Sequence, residues 1–309
     1  MKVLVTGGSG QVGSHIAEIF LDRGDQVVSI DNFVTGRKEH LLEQDRLTQF
    51  EDSIANKELI YKIVSDFRPD AIVHTAASYK DPDDWYNDTM TNAVGGANLI
   101  SAAKEFKVGR FIYFQTALCY GVKPQEQPVT LEHPINPDNS SYSISKTVTE
   151  EYLRLSGIDY VTFRLANVIG PRNVSGPLPI FFNRLSEGKK CFVTKSRRDF
   201  VYVGDLAKYA VKAADGQGSG AYHFSSGKDV AILDLYNAVV NAMNLNDYPE
   251  PDIRDIGKDD APNILLDPSK TFKDFGNIEF TPLETTVQLG VEYYKTYGAH
   301  GGYTHLKHD

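Results

Sequence analysis

The first 31 residues constrain the fold more than any other part of the chain. An apolar run, Lys2–Val5, leads into Gly7-Gly8-Ser9-Gly10-Gln11-Val12-Gly13, and an amphipathic stretch follows. A second apolar run, Gln26–Ile30, then ends on Asp31. Glycines at this spacing, directly after a strand, have separate uses. Gly7 permits the tight turn, Gly10 lets the backbone approach a pyrophosphate, and Gly13 lets the following helix pack closely on the sheet. The N-terminal end of that helix carries a partial positive charge suited to phosphate. Asp31 stands where a carboxylate meets the adenosine ribose hydroxyls, so the segment predicts dinucleotide binding. A carboxylate repels a 2′-phosphate, which favours NAD over NADP; Arg37 and Lys38, a few residues on, weaken that preference.

Further along, short apolar strands alternate with helical stretches. Strands are expected at Leu47–Glu51, Ala71–Thr75, Arg110–Gln115 and Tyr160–Leu165, and helices at Lys57–Phe67, Thr89–Phe106 and Tyr142–Leu155. This order predicts an α/β fold, a Rossmann-type doubly wound parallel sheet. The second half is interrupted by Gly170-Pro171, Gly176-Pro177 and Pro179, with helices expected near Ile180–Glu187, Asp205–Ala214 and Leu233–Met243. We therefore expect residues 1–168 to form the NAD-binding domain, with later returns from the second half. Residues 169–309 would form mainly a smaller, interleaved substrate-binding lobe.

A net charge of −9 with no offsetting basic block argues against nucleic acid or an anionic membrane as partner. Two cysteines, Cys119 and Cys191, make no disulfide framework and suit a reducing compartment. There is neither a leader-like apolar segment nor a run long enough to span a bilayer, so a cytoplasmic location without membrane insertion is expected. His74 reads as a core histidine, and Asp81, Asp83 and Asp84 around Trp85 read as caps of the following helix. No metal site is expected.

Tyr142-Ser143-Ile144-Ser145-Lys146 carries the chemistry. A four-residue spacing puts Tyr142 and Lys146 on one helix face, one turn apart. A lysine there would lower the phenol pKa so that Tyr142 can take a proton from a sugar hydroxyl while hydride leaves for NAD. Thr116, at the end of a strand, would supply a hydroxyl to the same oxygen.

The glycine fingerprint, Asp31, Thr116, Tyr142 and Lys146 together resemble the extended short-chain dehydrogenase/reductase family, in its nucleotide-sugar epimerase and dehydratase branch. The likeness runs from Met1 to about Tyr297. Further similar segments are Gln115-Thr116-Ala117-Leu118-Cys119-Tyr120-Gly121, Arg164–Arg172, Arg198–Asp205 and Asp267-Pro268-Ser269-Lys270. The resemblance implies NAD contacts from the glycine loop with Gln11 and Val12, from Asp31 and Asn32, and from Asp52 and Ser53 at the adenine. It also implies a floor of Ala76 and Ala77, support from Asn92, and ribose contacts from Tyr142 and Lys146. Asn167, Arg172 and Arg198, with Thr116, would bind the nucleotide-sugar, Arg198 at its diphosphate. A homodimer built on the helices after Thr89 and Tyr142 is implied as well.

The departures from the family pattern narrow the activity. Dehydratases of this branch carry proton-transfer acids just after the catalytic threonine, where this chain has Ala117 and Leu118. Related decarboxylases use a glutamate there, and Cys119 sits one residue away from the cysteine of reductase-epimerases. Gln115 replaces a small hydroxyl residue, and Lys258-Asp259-Asp260-Ala261-Pro262 lacks a second phosphate-binding arginine. The expectation is an NAD-dependent epimerase, acting at C4 of a UDP-hexose or a derivative such as an N-acetylhexosamine or uronic acid. The alternatives are a dehydratase or ketoreductase on the same substrate class, and a redox-inert nucleotide-sensing module.

Overall fold

Four of the five residues of Lys2–Thr6 (β1) are buried, the pattern of a strand covered on both faces. The computed structural model describes residues 1–299 except Asn139, Lys258, Asp259 and Ile278. Two residues of the Lys258–Pro262 departure and the end of the second lobe thus lie outside the described residues.

After β1 come α1 (Gln11–Asp22), β2 (Gln26–Asp31), β3 (Leu47–Glu51), α2 (Lys57–Phe67), β4 (Ala71–His74), α3 (Trp85–Asp88) and α4 (Gly96–Glu105). Then follow β5 (Arg110–Thr116), α5 (Ser141–Ser156) and β6 (Tyr160–Leu165). The second half contributes β7 (Asn167–Ile169), α6 (Pro177–Ser186), β8 (Phe192–Thr194), β9 (Arg197–Arg198), β10 (Phe200–Tyr202) and α7 (Val203–Ala214). It continues with β11 (Gly220–Phe224), β12 (Val230–Ala231), α8 (Ile232–Met243), β13 (Asp252–Arg254), α9 (Ser269–Phe275) and α10 (Leu283–Tyr297).

Seven strands form one parallel sheet in the order β11-β6-β5-β4-β1-β2-β3. The order reverses between β1 and β4, and ligands of such sheets bind at the carboxyl ends of the strands flanking that point. On one face Ile16, Ala17 and Phe20 of α1 pack with Leu206, Ala207 and Ala210 of α7. On the other, Ile60, Leu99 and Leu153 of α2, α4 and α5 cover Leu4, Ile72 and Phe111. A separate core, including Phe181, Tyr236, Val239, Val291 and Tyr294, holds α6, α8 and α10 together. β11 returns from the second half to pair with β6, Tyr222 opposite Phe163.

Two elements differ from the expectation. The long helix predicted over Thr89–Phe106 begins earlier, at Trp85, and passes through a π-helical segment, Thr89–Gly95, before α4. A Cβ on Gly96 would lie 1.9 Å from Thr149 Oγ1, and one on Gly95 2.5 Å from Ile54. The wider turn and the two glycines thus admit α5 and the α2 approach at close range, which apolar periodicity does not register. The helix expected at Ile180 starts at Pro177, because proline is well placed in a first helical turn, where its missing N–H has no intrahelical partner to lose. Asp84 caps the helix as expected, accepting from Asn87 N at 3.1 Å, while Asp81 accepts from Asp83 N ahead of it.

Candidate active site

The glycine loop leaves room where phosphate needs it and closes where packing needs it. Gly7 has φ of 67°, and a Cβ there would stand 2.7 Å from Ala76 N; on Gly13 it would stand 2.2 Å from Gly7 O. On Gly10 it would meet only Gly7 O, at 3.2 Å. Gly10 takes the N-cap position of α1 without a side chain, and the first N–H groups of a helix have no intrahelical partners. The buried Ser9 Oγ and Gln11 Nε2 have no hydrogen-bond partner among the described residues. These features fit a dinucleotide pyrophosphate.

Asp31, at the end of β2, is buried; its Oδ2 accepts from Ser9 N at 2.9 Å and its Oδ1 from Phe33 N at 2.8 Å. Burial pushes its carboxyl above the usual range, and those backbone bonds oppose the shift. The carboxylate is thereby aimed by main chain, with acceptor capacity to spare for ribose hydroxyls. Asn32 is exposed and accepts from Val34 N. Asp52 N donates to Asp31 O at 3.1 Å, which places the Asp52–Ser53 turn beside Asp31. The Asp52 carboxylate accepts from Ser53 N and from Asn56 Nδ2.

Beneath the loop, Ala76 N donates to Thr6 Oγ1 at 3.4 Å, and Ala77 follows it after β4. Asn92 lies in the π-helical segment and acts as a brace. Its Oδ1 accepts from Ser78 N at 2.8 Å, and its Nδ2 donates to Ser78 O and to Ser145 Oγ, each at 3.0 Å. The loop after β4 is thus tied to α5. His74 is fully buried, its Nδ1 2.8 Å from Thr6 Oγ1, in the manner of a core histidine.

Ser140 Oγ caps α5, accepting from Ser143 N at 3.2 Å, and starts the helix one residue before Tyr142. Lys146 is buried, with its Nζ 4.3 Å from the Tyr113 ring centroid. Tyr113 Oη donates to Lys146 O at 2.9 Å, fixing the helix against β5. The strand carrying Thr116 and the helix carrying Tyr142 and Lys146 are therefore packed together, Gln115 reaching Thr147 across the seam. Thr116 Oγ1 accepts from Leu118 N at 3.1 Å, which leaves its hydroxyl proton available to a ligand.

The electrostatics correct one expectation. Burial, reinforced by Tyr79 and Asp88, pushes the Tyr142 phenol well above its usual pKa. Burial also lowers Lys146 to about 7, against the opposing charge of Glu150. A lysine itself driven toward neutrality is a weak source of positive charge, so Lys146 alone does not depress Tyr142.

The expected substrate contacts are only partly gathered. Asn167 is exposed on β7, its Nδ2 3.3 Å from Asp199 O. Arg198 donates to Ala261 O at 2.8 Å and forms an ion pair with Asp260. Arg172 is placed otherwise than expected. Its guanidinium is taken in bidentate fashion by Glu18 on α1, at 2.6 and 2.9 Å, and neighbouring Asn173 meets Gln11 at 3.3 Å. A fork already filled by a carboxylate straps the second half to the glycine-loop helix. Ala117 and Leu118 pack beside the apolar cluster of Cys119, Tyr120, Val129 and Leu266, and neither side chain can transfer a proton.

Sequence reasoning missed Tyr79 and Asp88. The Tyr79 ring stands edge-on to Tyr142 at 6.3 Å, and Asp88 is buried just ahead of the π-helical segment. The position of Tyr79, in the loop leaving the carboxyl end of β4, was the available signal.

Residues 3–224 match the model of the NAD dependent epimerase/dehydratase family. The chain is 30% identical over 268 residues to a UDP-glucose 4-epimerase of Mycolicibacterium smegmatis, covering 81% of this chain and 85% of that protein. Among solved structures it resembles the Bordetella bronchiseptica enzyme WbmH in complex with NAD+, with TM-score 0.95 and 68% identity over 96% of this chain and 99% of that one. It also resembles WbmG of the same organism in complex with NAD and UDP, with TM-score 0.91 and 37% identity over 99% of each chain. No helix among the described residues is long and apolar enough to cross a membrane. On its sequence, its fold and its glycine loop, the chain belongs to the NAD-dependent epimerase/dehydratase family.

Proposed function

We propose that this protein is an NAD-dependent epimerase that inverts C4 of a UDP-hexose or of an N-acetylated or uronic derivative. The observation that carries the proposal is local. Thr116 ends the strand that packs against the helix bearing Tyr142 and Lys146, while the two positions after it, Ala117 and Leu118, can move no proton. Elimination of water calls for proton-transfer acids at those two positions, whereas inversion through a keto sugar does not. The UDP-glucose 4-epimerase of M. smegmatis and the UDP-bound WbmG support both the reaction and the nucleotide.

The Tyr142 oxygen takes the proton of the sugar hydroxyl and returns it when the inverted alcohol re-forms. Thr116, its oxygen held by Leu118 N, donates its own proton to the reacting sugar oxygen. Lys146 holds the ribose of the cofactor, and Arg198 neutralises diphosphate. NAD, when bound, supplies a hydride acceptor that later gives the hydride back, together with a cationic ring. Because burial keeps the Tyr142 phenol protonated in the chain alone, Tyr142 works as a base only where positive charge joins Lys146 beside it.

The same helix supports a homodimer. Ile144, Tyr152 and Leu155 form an exposed stripe on α5, and Trp85 and Tyr86 are exposed on α3, which packs beside it. Such a stripe suits a partner helix pair. The two buried, unpaired cysteines suit a cytoplasmic setting.

Incubation with a panel of UDP-hexoses, followed by proton NMR and product mass, tests the reaction. Two sugars of equal mass should interconvert without added reductant. A product lighter by one water, or one formed only with stoichiometric reduced cofactor, would establish the dehydratase or ketoreductase instead. Inactivity on every nucleotide-sugar with NAD retained would favour a sensing role.

A further inference from the structure

A continuous buried polar chain runs from the backbone of Thr116 into the second half of the molecule. Gln115 is bonded at both ends of its amide. Its Oε1 accepts from Thr116 N at 2.8 Å, and its Nε2 donates to Glu150 Oε2 at 3.1 Å. Glu150 stands one helical turn beyond Lys146 on α5, and Arg164 of β6 donates to its carboxylate from Nε at 3.0 Å, with Nη2 also at 3.0 Å. Arg164 also donates to the Tyr120 hydroxyl. Arginine has no acceptor, so the Tyr120 oxygen receives that bond and sends its own proton to His223 Nε2, 2.7 Å away. His223 Nδ1 faces Asp267 O at 2.9 Å and therefore carries the ring proton. Gln115, Tyr120, Glu150, Arg164 and His223 are all buried.

We infer that Gln115 and Glu150 are positioning residues for Thr116. The inference rests on the epimerase reading for its kinetic consequences, but not for its geometry. At the carboxyl end of β5 the Thr116 N–H is taken by the preceding side chain, so the orientation of that peptide depends on where the Gln115 amide is held. A small hydroxyl at position 115 could not span from Thr116 N to α5. Glutamine does span it, and the far end of its amide is fixed by a carboxylate that an arginine in turn holds in place. A satisfied, low-dielectric network of this kind has one preferred arrangement, because any lost bond leaves a buried polar group unpaired. The catalytic hydroxyl is thereby referenced to the helix that bears Tyr142 and Lys146. Through His223 and Asp267 it is referenced also to the Asp267–Lys270 segment.

Glu150 is a poor first probe, since its removal leaves the Arg164 charge buried and uncompensated. Gln115→Met keeps the volume and deletes the amide's bonds to Thr116, Glu150 and Thr147, and Gln115→Asn, too short to reach Glu150, serves if the methionine variant does not fold. Amide hydrogen exchange at Thr116 should quicken about tenfold or more in either variant, with distant amides unchanged. Turnover should fall about tenfold or more, while KM for the UDP-sugar stays within about twofold and the limbs of the pH–kcat profile stay in place. In a Thr116→Val background, Gln115→Met should change kcat by less than about twofold, because residues acting as one unit do not add. An unchanged Thr116 exchange rate overturns the inference whatever the reaction proves to be. So does an equal kcat loss in the wild-type and Thr116→Val backgrounds. Failure of the wild type to epimerise any nucleotide-sugar overturns the proposed function, and the exchange measurement still decides the positioning role.

Discussion

Around Gly7–Gly13 the groups offered to a ligand are main-chain N–H groups at the start of α1, whereas around Arg198 they are guanidinium groups already in use. The first set, the N–H groups of Gln11, Val12 and Gly13, is oriented by the fold and precedes the first intrahelical bond, from Ser14 N to Gly10 O at 3.1 Å. The second is paired with Asp260 and the Ala261 carbonyl, so a diphosphate arriving there exchanges one set of bonds for another. Arg172 is committed further, with both arms on Glu18. On the proposed reading the cofactor end is prepared in advance, and the nucleotide-sugar end at Arg198 is conditional on what that cation releases. At equal contact number the first should bind more tightly.

The sharpest way to break this comparison is at the seam between the two ends. Tyr142→Phe should lower turnover by at least about 10²-fold with NAD content unchanged, since general-base catalysis typically contributes about 10²–10⁴-fold. Steady-state rates and cofactor release on denaturation would show it, and near-normal turnover would remove Tyr142 from the chemistry.

Arg198→Ala should weaken UDP itself, measured by calorimetry, by up to the roughly 1.5–3 kcal/mol of a charge-assisted bond. Exchange with Asp260 should place the measured value at the lower end. An unchanged UDP affinity would move the diphosphate elsewhere.

Gly13→Ala sharpens the contrast from the other side. The new Cβ would press on Gly7 O, and overpacking of this kind costs roughly 1–3 kcal/mol, so retained NAD should fall while UDP affinity holds. Parallel losses of both ligands would show that the two ends are not independent.

A pH titration isolates Tyr142. Burial favours the neutral phenol, so its pKa moves up and the group stays protonated at pH values where an exposed tyrosine has begun to ionise. The difference absorbance at 295 nm between the cofactor-free wild type and Tyr142→Phe should stay flat through about pH 10, the ordinary tyrosine value. A step near neutrality would restore the direct lysine effect that the structure argues against.

The smallest effect belongs to Arg172→Ala. Its partly exposed pair with Glu18 should contribute only about 0.2–1 kcal/mol, seen as a slight fall in Tm. UDP affinity should not change; a large loss would return Arg172 to the substrate.

What could be read from the chain follows the same divide. The strands Leu47–Glu51 and Tyr160–Leu165 and the helix Lys57–Phe67 lie where apolar patterning places them. The glycine loop was legible because each of its constraints is local and backbone-borne. The π-helical segment was not, because its cause is the approach of Thr149 and Ile54 from other elements. Nor were the partners of Arg172 and Arg198, since Glu18 and Asp260 are remote in sequence and an arginine looks the same whether free or engaged. Gln115 stood out only as a departure; its meaning needed Glu150, brought beside it by folding.

The pairing of β11 with β6 has a consequence for how the molecule comes into being. During synthesis the first 168 residues emerge with β6 as a bare edge, its outer ladder groups from Val161 to Leu165 unmatched until Phe224 has left the ribosome. His223, the partner of Tyr120, arrives at the same moment. Closure of the sheet and completion of the polar chain behind Thr116 are therefore one late event in the life of the nascent chain. Until then an exposed parallel strand is open to wrong partners, which is the stage at which chaperone engagement should concentrate.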